Sequence, residues 1–138
     1  MPHLIVEYTD NLGAEGAIPA LLRKANSVLI KQGDIFKPGA VRSRAVVVHE
    51  YCVADGQADY AFVHCTLKMG AGRTVGEKQS IGTALFNMIK DHFATLYARR
   101  YLALSLELYE FEEGGTYKAN NIHGRFATPA LPDPGAAG

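Results

Sequence analysis

Apolar residues recur along the chain with two spacings, the alternation of a strand and the three- to four-residue spacing of a helix, which follow each other in turn. The segment 3–8 is β-branched and aromatic, which predicts a strand. Apolar residues then follow at helical spacing and predict a helix that Pro19 enters in its first turn. Its apolar stripe consists of Ile18, Leu21, Leu22, Ala25, Val28 and Leu29. A Val-rich segment from Val41 to about Val53 predicts a second strand.

The same order of strand, helix and strand follows in the second half. Residues 60–69 alternate between two faces and predict a third strand. Thr74 and Glu77 have the spacing of a capping box, which predicts the start of a helix. The stripe of this helix is Ile81, Ala84, Leu85, Met88 and Ile89. Leucines alternate over 102–108 as a fourth strand, so two βαβ units are expected to share one four-stranded mixed sheet in an α+β fold.

Two helices can cover only one face of such a sheet. The other face is predicted to carry a partly aromatic set of side chains, namely Tyr60, Phe62, His64, Thr66, Tyr101 and Tyr109. A surface of this kind usually marks an interface, so we expect an oligomer. The Ala-, Pro- and Gly-rich tail 127–138 is expected to be disordered. The remainder, 2–126, is predicted to be one domain with duplicated halves, about 2–57 and 58–113.

Composition narrows the classes of function. The chain has 138 residues with 14 basic and 14 acidic side chains, and this balance argues against nucleic-acid binding. The apolar runs are too short to cross a membrane, and no signal-peptide pattern opens the chain, so we expect a cytoplasmic protein. Cys52 and Cys65 make neither a disulfide framework nor a metal cluster. No pattern indicates a metal, flavin or nicotinamide cofactor.

Pro2 is the first candidate for chemistry. Initiator methionine is generally removed before a small residue such as proline, which would leave a free secondary amine at the start of the first strand. An α-amino group titrates at roughly 7.7–8.0, and burial or nearby cations would lower that value. Such an amine is a good general base. However, many chains begin with Met-Pro for no catalytic reason.

Three arginines are candidates for anion binding. Arg42 and Arg44 are two residues apart in the second strand, so they share one face and suit a carboxylate. Arg73 lies between a glycine turn and the Thr74 cap, beside the positive end of the second helix. Each arginine also has an explanation without function. Arg42 and Arg44 could be solvated charges at the end of a strand, and Arg73 could be an exposed loop residue.

Several segments together resemble the tautomerase superfamily and, within it, the 5-carboxymethyl-2-hydroxymuconate Δ-isomerases. The matching segments are Pro2-His3 leading into Ile5-Val6-Glu7, Ile35 to Arg44, Ala54 to Arg73, and Lys118-Ala119-Asn120-Asn121-Ile122-His123. The resemblance covers about residues 2–126. It implies a homotrimer of βαβ pairs in which Pro2 is the catalytic base. It also implies that Arg42 and Arg73 bind a small polycarboxylate substrate, with Arg44 as a third candidate.

The implied reaction is a 1,3-allylic proton shift that converts a 2-hydroxymuconate to its 2-oxo-3-ene isomer, in the breakdown of homoprotocatechuate. Three alternatives stay open from the sequence. The chain could act on another 2-hydroxymuconate or a phenylpyruvate-type enol, or it could be a non-catalytic trimer that binds an anion. A ferredoxin-like binding module would explain the strand–helix order but not Pro2 or Arg73.

Overall fold

The computed structural model describes residues 1–127. The strands are β1 (His3–Thr9), β2 (Arg42–Val48), β3 (Tyr60–Gly70) and β4 (Tyr101–Phe111), and the helices are α1 (Ile18–Ile30), α2 (Val75–His92) and α3 (Ala94–Arg99). Short 3₁₀ turns, including Pro38–Ala40 and Ile122–Arg125, occur in the connections. No helix within residues 1–127 combines the length and apolarity that a membrane span requires.

The four strands form one mixed sheet in the order β2-β1-β3-β4. β1 pairs with β2 and β3 pairs with β4 in parallel, whereas β1 and β3 are antiparallel. The starts of β1 and β2 therefore lie at the same end of the sheet as the ends of β3 and β4. We call this the Pro2 end and the opposite one the Thr9 end. The predicted four-stranded mixed sheet is confirmed.

The core lies between one face of the sheet and the helices. Alternate residues of β1 and β3 are buried there, and the predicted stripes of α1 and α2 pack against them. The largest fully buried side chains include Leu4, Leu21, Leu29, Leu67, Met69, Ile81, Leu85, Ile89 and Phe93. Removing this apolar surface from water is the main force that holds the helices on the sheet.

No helix of residues 1–127 covers the opposite face of the sheet. The register aligns Tyr60 with Tyr101, and His64 with Ser105, so the predicted uncovered face is confirmed. Tyr101 is 70% exposed, and its ring makes an edge contact with Tyr60. His64 Nδ1 lies 2.6 Å from Ser105 Oγ, so polar groups on this face also pair with each other.

Two elements differ from the prediction. β2 ends at Val48 instead of continuing to about Val53, and residues 49–59 are irregular, with a turn at residues 54–55. Ala54 and Gly56 in this segment have positive φ, so the backbone there cannot continue as an extended strand. The helix α3 was not predicted from the sequence. Its Leu96 is buried in the core, as is Phe93 between α2 and α3, and a six-residue helix is too short to show an apolar period.

Candidate active site

A pocket of about 370 Å3 opens at the Pro2 end of the sheet. Its walls come from the start of the chain, the segment between α1 and β2, and the residues that follow β3 and β4. The lining residues are Met1, Pro2, Asp34, Ile35, Phe36, Lys37, Ala40, Arg73, Glu113, Lys118, Asn120 and His123. These segments meet because β1 runs antiparallel to β3, which puts the start of one beside the end of the other.

Pro2 is buried at the entry to β1 and lines the pocket. Its carbonyl oxygen accepts a hydrogen bond from the Arg42 backbone N–H at 3.3 Å. The next residue, His3, pairs with Arg42 on one side and Lys68 on the other. Strand pairing on both sides therefore holds the backbone that carries the Pro2 nitrogen.

Arg73 is held in the wall of the pocket by backbone carbonyl groups. Its Nη1 donates to Gly70 O at 2.7 Å and its Nη2 to Ile35 O at 3.1 Å. The guanidinium also stacks on the Phe36 ring, 5.2 Å from the centroid. Within residues 1–127 it makes no ion pair with a carboxylate. Its position is thus fixed while its charge stays available to a ligand.

The turn before α2 sets the position of the backbone that carries Arg73. Gly72 has a φ of 116°, which a residue with a side chain rarely adopts. The capping box is present as predicted: Glu77 N–H donates to Thr74 Oγ1 at 3.0 Å, and Thr74 N–H donates to Glu77 Oε1 at 2.9 Å. Arg73 therefore stands immediately before a well-formed helix start.

The segment 112–127, which we call the C-terminal wall, covers the pocket from the other side. Asn120 Nδ2 donates to Gly39 O at 2.8 Å, and Asn120 Oδ1 accepts from Ile122 N–H. A Cβ at Gly39 would lie 2.9 Å from the His123 backbone, so the close approach requires glycine. His123, at the end of the segment that resembles the isomerases, also lines the pocket.

Positive side chains outnumber carboxylates around the pocket. Lys37, Arg73 and Lys118 line it, together with Asp34 and Glu113. A small concave surface with this excess of positive charge attracts anions and orients them.

The α-amino group of Met1 shows what this environment does to an amine. Its pKa is lowered from the ordinary 8.0, first by burial and then by the positive charges of Lys118 and Arg73. Glu113 raises it, and Arg42 adds a further lowering effect. The pocket therefore favours the neutral form of an amine, which is the form that accepts a proton.

The predicted site residues fall into three positions. Pro2 and Arg73 meet in the pocket. Arg42 is beside them, bonded through its backbone to Pro2. Arg44 shares a face with Arg42, as its spacing predicts, but lies away from the pocket, with Nη1 3.2 Å from His3 Nδ1. Its part in binding stays a prediction.

The sequence analysis did not single out Lys37, Lys118 or Glu113 as site residues. Each lies in a connection without apolar periodicity, and lysines or glutamates in such segments are usually solvated. The one signal was that Lys118 belongs to the Lys118–His123 segment that resembles the isomerases. Within residues 1–127, no three His, Cys, Asp or Glu side chains come together as metal ligands.

The two parallel strand pairs with helices on one face form the tautomerase type of fold. A solved "fused 4-OT wild type symmetric trimer" shares this fold, with a TM-score of 0.65 at 17% identity over 85% of this chain and 93% of that one. The chain therefore has a tautomerase-like fold.

Closer similarities define the family. A model of the 5-carboxymethyl-2-hydroxymuconate isomerase family matches residues 2–126. A 5-carboxymethyl-2-hydroxymuconate Delta-isomerase of Escherichia coli is 47% identical over 91% of this chain and 99% of that protein. A crystal structure of a 5-carboxymethyl-2-hydroxymuconate isomerase from Deinococcus radiodurans R1 has a TM-score of 0.87 at 50% identity, over 91% of this chain and 93% of that one. The chain belongs to the 5-carboxymethyl-2-hydroxymuconate isomerase family.

Proposed function

We propose that the chain converts 5-carboxymethyl-2-hydroxymuconate to 5-oxopent-3-ene-1,2,5-tricarboxylate in homoprotocatechuate degradation, with Pro2 as the acid and base. Membership of the family makes the chain an isomerase. The observation that carries the proposal is the pocket that joins Pro2 to the cations Lys37, Arg73 and Lys118. A substrate with three carboxylates needs such a set of cations, whereas a monoanion would leave several of them unpaired.

Pro2 becomes a base only when Met1 is removed, because a peptide bond makes its nitrogen a non-basic amide. The free secondary amine then faces the charges that act on the Met1 amine. Burial, Lys118 and Arg73 lower the pKa there. We expect the same burial and charges to lower the pKa of the Pro2 amine, which favours the neutral form that accepts a proton.

The reaction moves one proton from oxygen to carbon. Neutral Pro2 accepts the proton of the 2-hydroxyl group, and the electron pair of the broken O–H bond forms a dienolate. Its charge is shared between the C2 oxygen and the distal carbon. Protonated Pro2 then donates a proton to that carbon, which gives the 2-oxo-3-ene product and restores the neutral amine.

The arginines stabilise the negative charge that develops during this shift. Arg73 is held by Gly70 and Ile35 before the substrate binds, so its charge needs little rearrangement. Arg42 adds positive charge beside Pro2. Arg44, on the sheet face without helices, is a third candidate to bind a carboxylate. Fixed cations of this kind stabilise the transition state more than the ground state.

The assembly is proposed to be a homotrimer. The sheet face without helices carries half-buried Phe62 and exposed Tyr101, and such a face is suited to packing against other copies. The fold relative described above as a symmetric trimer supports the same number of subunits. Sedimentation velocity gives the mass directly, and a monomer at micromolar concentration would contradict this part of the proposal.

The test is the ultraviolet absorbance of 5-carboxymethyl-2-hydroxymuconate over time, with protein whose intact mass shows that Met1 is absent. We expect rapid loss of the dienol chromophore. Pro2→Ala should lower kcat/KM by about 100-fold or more, the usual contribution of a general base. The enol form of phenylpyruvate, which has one carboxylate, should turn over much more slowly than the tricarboxylate.

A protein that lacks Met1 and gives no acceleration would exclude the assignment. Equal rates for the wild type and Pro2→Ala would exclude the base while leaving the substrate in place. Faster turnover of phenylpyruvate than of the tricarboxylate would favour a different enol as the natural substrate.

A further inference from the structure

The C-terminal wall brings a lysine to the pocket from a segment far from Pro2 in sequence. Lys118 lines the pocket opposite the start of β1. The wall is anchored to the 3₁₀ turn Pro38–Ala40 through the Asn120–Gly39 hydrogen bond and the close packing of Gly39 on His123. These contacts fix the backbone on either side of the pocket opening, so Lys118 is presented by a supported segment.

Lys118 has more free hydrogen-bonding capacity than Arg73. The Nη1 and Nη2 atoms of Arg73 already donate to carbonyl groups, whereas Lys118 makes no side-chain hydrogen bond within residues 1–127. Its nearest acidic partner is Glu113, with Oε2 at 3.8 Å from Nζ, which is beyond hydrogen-bond distance. The Lys118 side chain is 45% exposed, so a ligand in the pocket can reach its ammonium group.

We propose that Lys118 binds one carboxylate of the substrate directly and is a specificity-determining residue for polycarboxylates. Glu113 is the opposing group: it lines the same pocket and repels the carboxylate that Lys118 attracts. The inference rests on the proposed function, since it assigns a role at the same site.

The charges around the amine make this inference testable through pH. Among the charges around the Met1 amine, Lys118 lowers its pKa most, followed by Arg73, whereas Glu113 raises it. The other titratable or charged groups around the pocket and the start of β1 are His3, Asp34, Lys37, Arg42, Arg44, Lys68 and His123. Loss of the Lys118 charge should therefore raise the pKa of the base, and loss of the Glu113 charge should lower it.

The experiment compares Lys118→Met, Lys118→Arg and Glu113→Gln with the wild type. The controls are Lys31→Met and Glu50→Gln, which remove exposed charges elsewhere. We expect Lys118→Met to lower kcat/KM for the tricarboxylate about tenfold, chiefly through KM, as the loss of one charge-assisted contact would. Lys118→Arg should keep most of the activity, and the defect should shrink as salt is raised.

The pH profile of kcat/KM gives the second measurement. Its acidic limb reports the base of the free enzyme. We expect this limb to move to higher pH in Lys118→Met and to lower pH in Glu113→Gln, with both controls unchanged. Opposite shifts from two neighbouring residues require a charge effect, because damage to the fold of the wall would affect both variants alike.

Two results would overturn the inference. One is a Lys118→Met enzyme with the same KM and pH profile as Lys31→Met. The other is a loss confined to kcat that neither salt nor Lys118→Arg changes. If the wild type is active, Pro2→Ala is inactive and either result is found, only the role of Lys118 fails. An inactive wild type that lacks Met1 would end both proposals.

Discussion

Charged side chains have different kinds of partner at the two ends of the sheet. At the Thr9 end, Asp10 accepts hydrogen bonds from His49 at 3.0 Å and from Tyr51 at 3.0 Å. Asp59 there accepts from Asn11 and pairs with Arg100 at 3.2 Å. These carboxylates are satisfied by partners from the protein itself.

At the Pro2 end the excess charge is positive and largely lacks such partners. Arg73 is bonded to carbonyl groups, which fix its position without cancelling its charge. Lys118 is 3.8 Å from the Glu113 carboxylate, and both are considerably exposed. The Pro2 end is therefore the end that leaves positive charges available to a ligand.

This difference in charge pairing separates structural charges from functional ones in this fold. A cation that is satisfied by carboxylates stabilises the chain, whereas a cation that is fixed by neutral groups in a pocket can bind an anion. Substitutions at equivalent places on the two ends should therefore affect either stability or activity, and seldom both.

The sharpest test pairs Arg73→Met with Arg100→Met. We expect Arg73→Met to lower kcat/KM by about 100- to 1000-fold, because it removes the fixed charge that we propose stabilises the transition state. Arg100→Met breaks bonds to Asn11 O and Asp59, and should cost about 1–2 kcal/mol of unfolding free energy with kcat/KM nearly unchanged. Steady-state kinetics and urea unfolding measure both quantities. An equal loss of activity in the two variants would remove the distinction between the ends.

The second test adds one methyl group at each end. A Cβ at Gly39 would lie 2.9 Å from the His123 backbone, so Gly39→Ala should displace the C-terminal wall and cost about 1–3 kcal/mol, with a rise in KM. At Gly16 the nearest atom would be Leu12 Cβ at 3.4 Å, and Gly16→Ala should change stability by less than about 0.5 kcal/mol. Thermal unfolding and KM are the measurements. A well-tolerated Gly39→Ala would show that the wall is loosely packed.

A smaller effect is expected from the cap beside Arg73. Thr74→Ala removes the bond from Glu77 N–H to the Thr74 hydroxyl, keeps the one from the Thr74 backbone N–H to Glu77, and should lower the unfolding free energy by about 1 kcal/mol. Thr74→Ser keeps the hydroxyl group and should behave like the wild type. The loss of activity in Thr74→Ala should be far smaller than in Arg73→Met, because the charge remains. A hundredfold loss would show that the helix start itself holds the substrate.

The smallest effect concerns the acid range. The hydrogen bonds from His49 and then Tyr51 lower the pKa of Asp10 below its ordinary 3.8. A lowered pKa means that the ionised form stabilises the fold above that ordinary value and that this contribution is lost as the pH falls through the lower folded value. Asp10→Asn should therefore show a shallower fall in Tm over this acid range, with unchanged kcat/KM at pH 7. A parallel fall in both proteins would mean that the Asp10 bonds add nothing measurable.

Local patterns were sufficient for most of the fold. The alternation in 60–69, the stripe of α1 and the cap at Thr74 all predict elements that the structure contains. The end of β2 was placed too late because its continuation is rich in residues that also favour strands, and only the positive φ at Ala54 shows the turn. The boundaries of the single domain and its two duplicated halves stay predictions, and the predicted tail beyond residue 127 lies outside the described residues.

The site was harder to predict than the fold. Pro2 and Arg73 were found because each sits at a recognisable boundary, the start of the chain and the start of α2. Arg42 and Arg44 were indistinguishable, since an alternating strand predicts a shared face but not which residue adjoins Pro2. Lys118 and Glu113 lie in the C-terminal wall, whose position depends on contacts across 81 residues such as Asn120 with Gly39.

Sequence patterns were enough to predict the four strands, the two long helices, the uncovered face and the presence of Pro2 with several arginines. These features depend on side-chain periodicity and local hydrogen bonds, which neighbouring residues decide. Only the tertiary structure decided that the antiparallel pairing of β1 and β3 brings Pro2, Arg73 and Lys118 to one pocket. The reason is that a site made from distant segments depends on strand order and on the packing of connections, and neither has a local signature in the sequence.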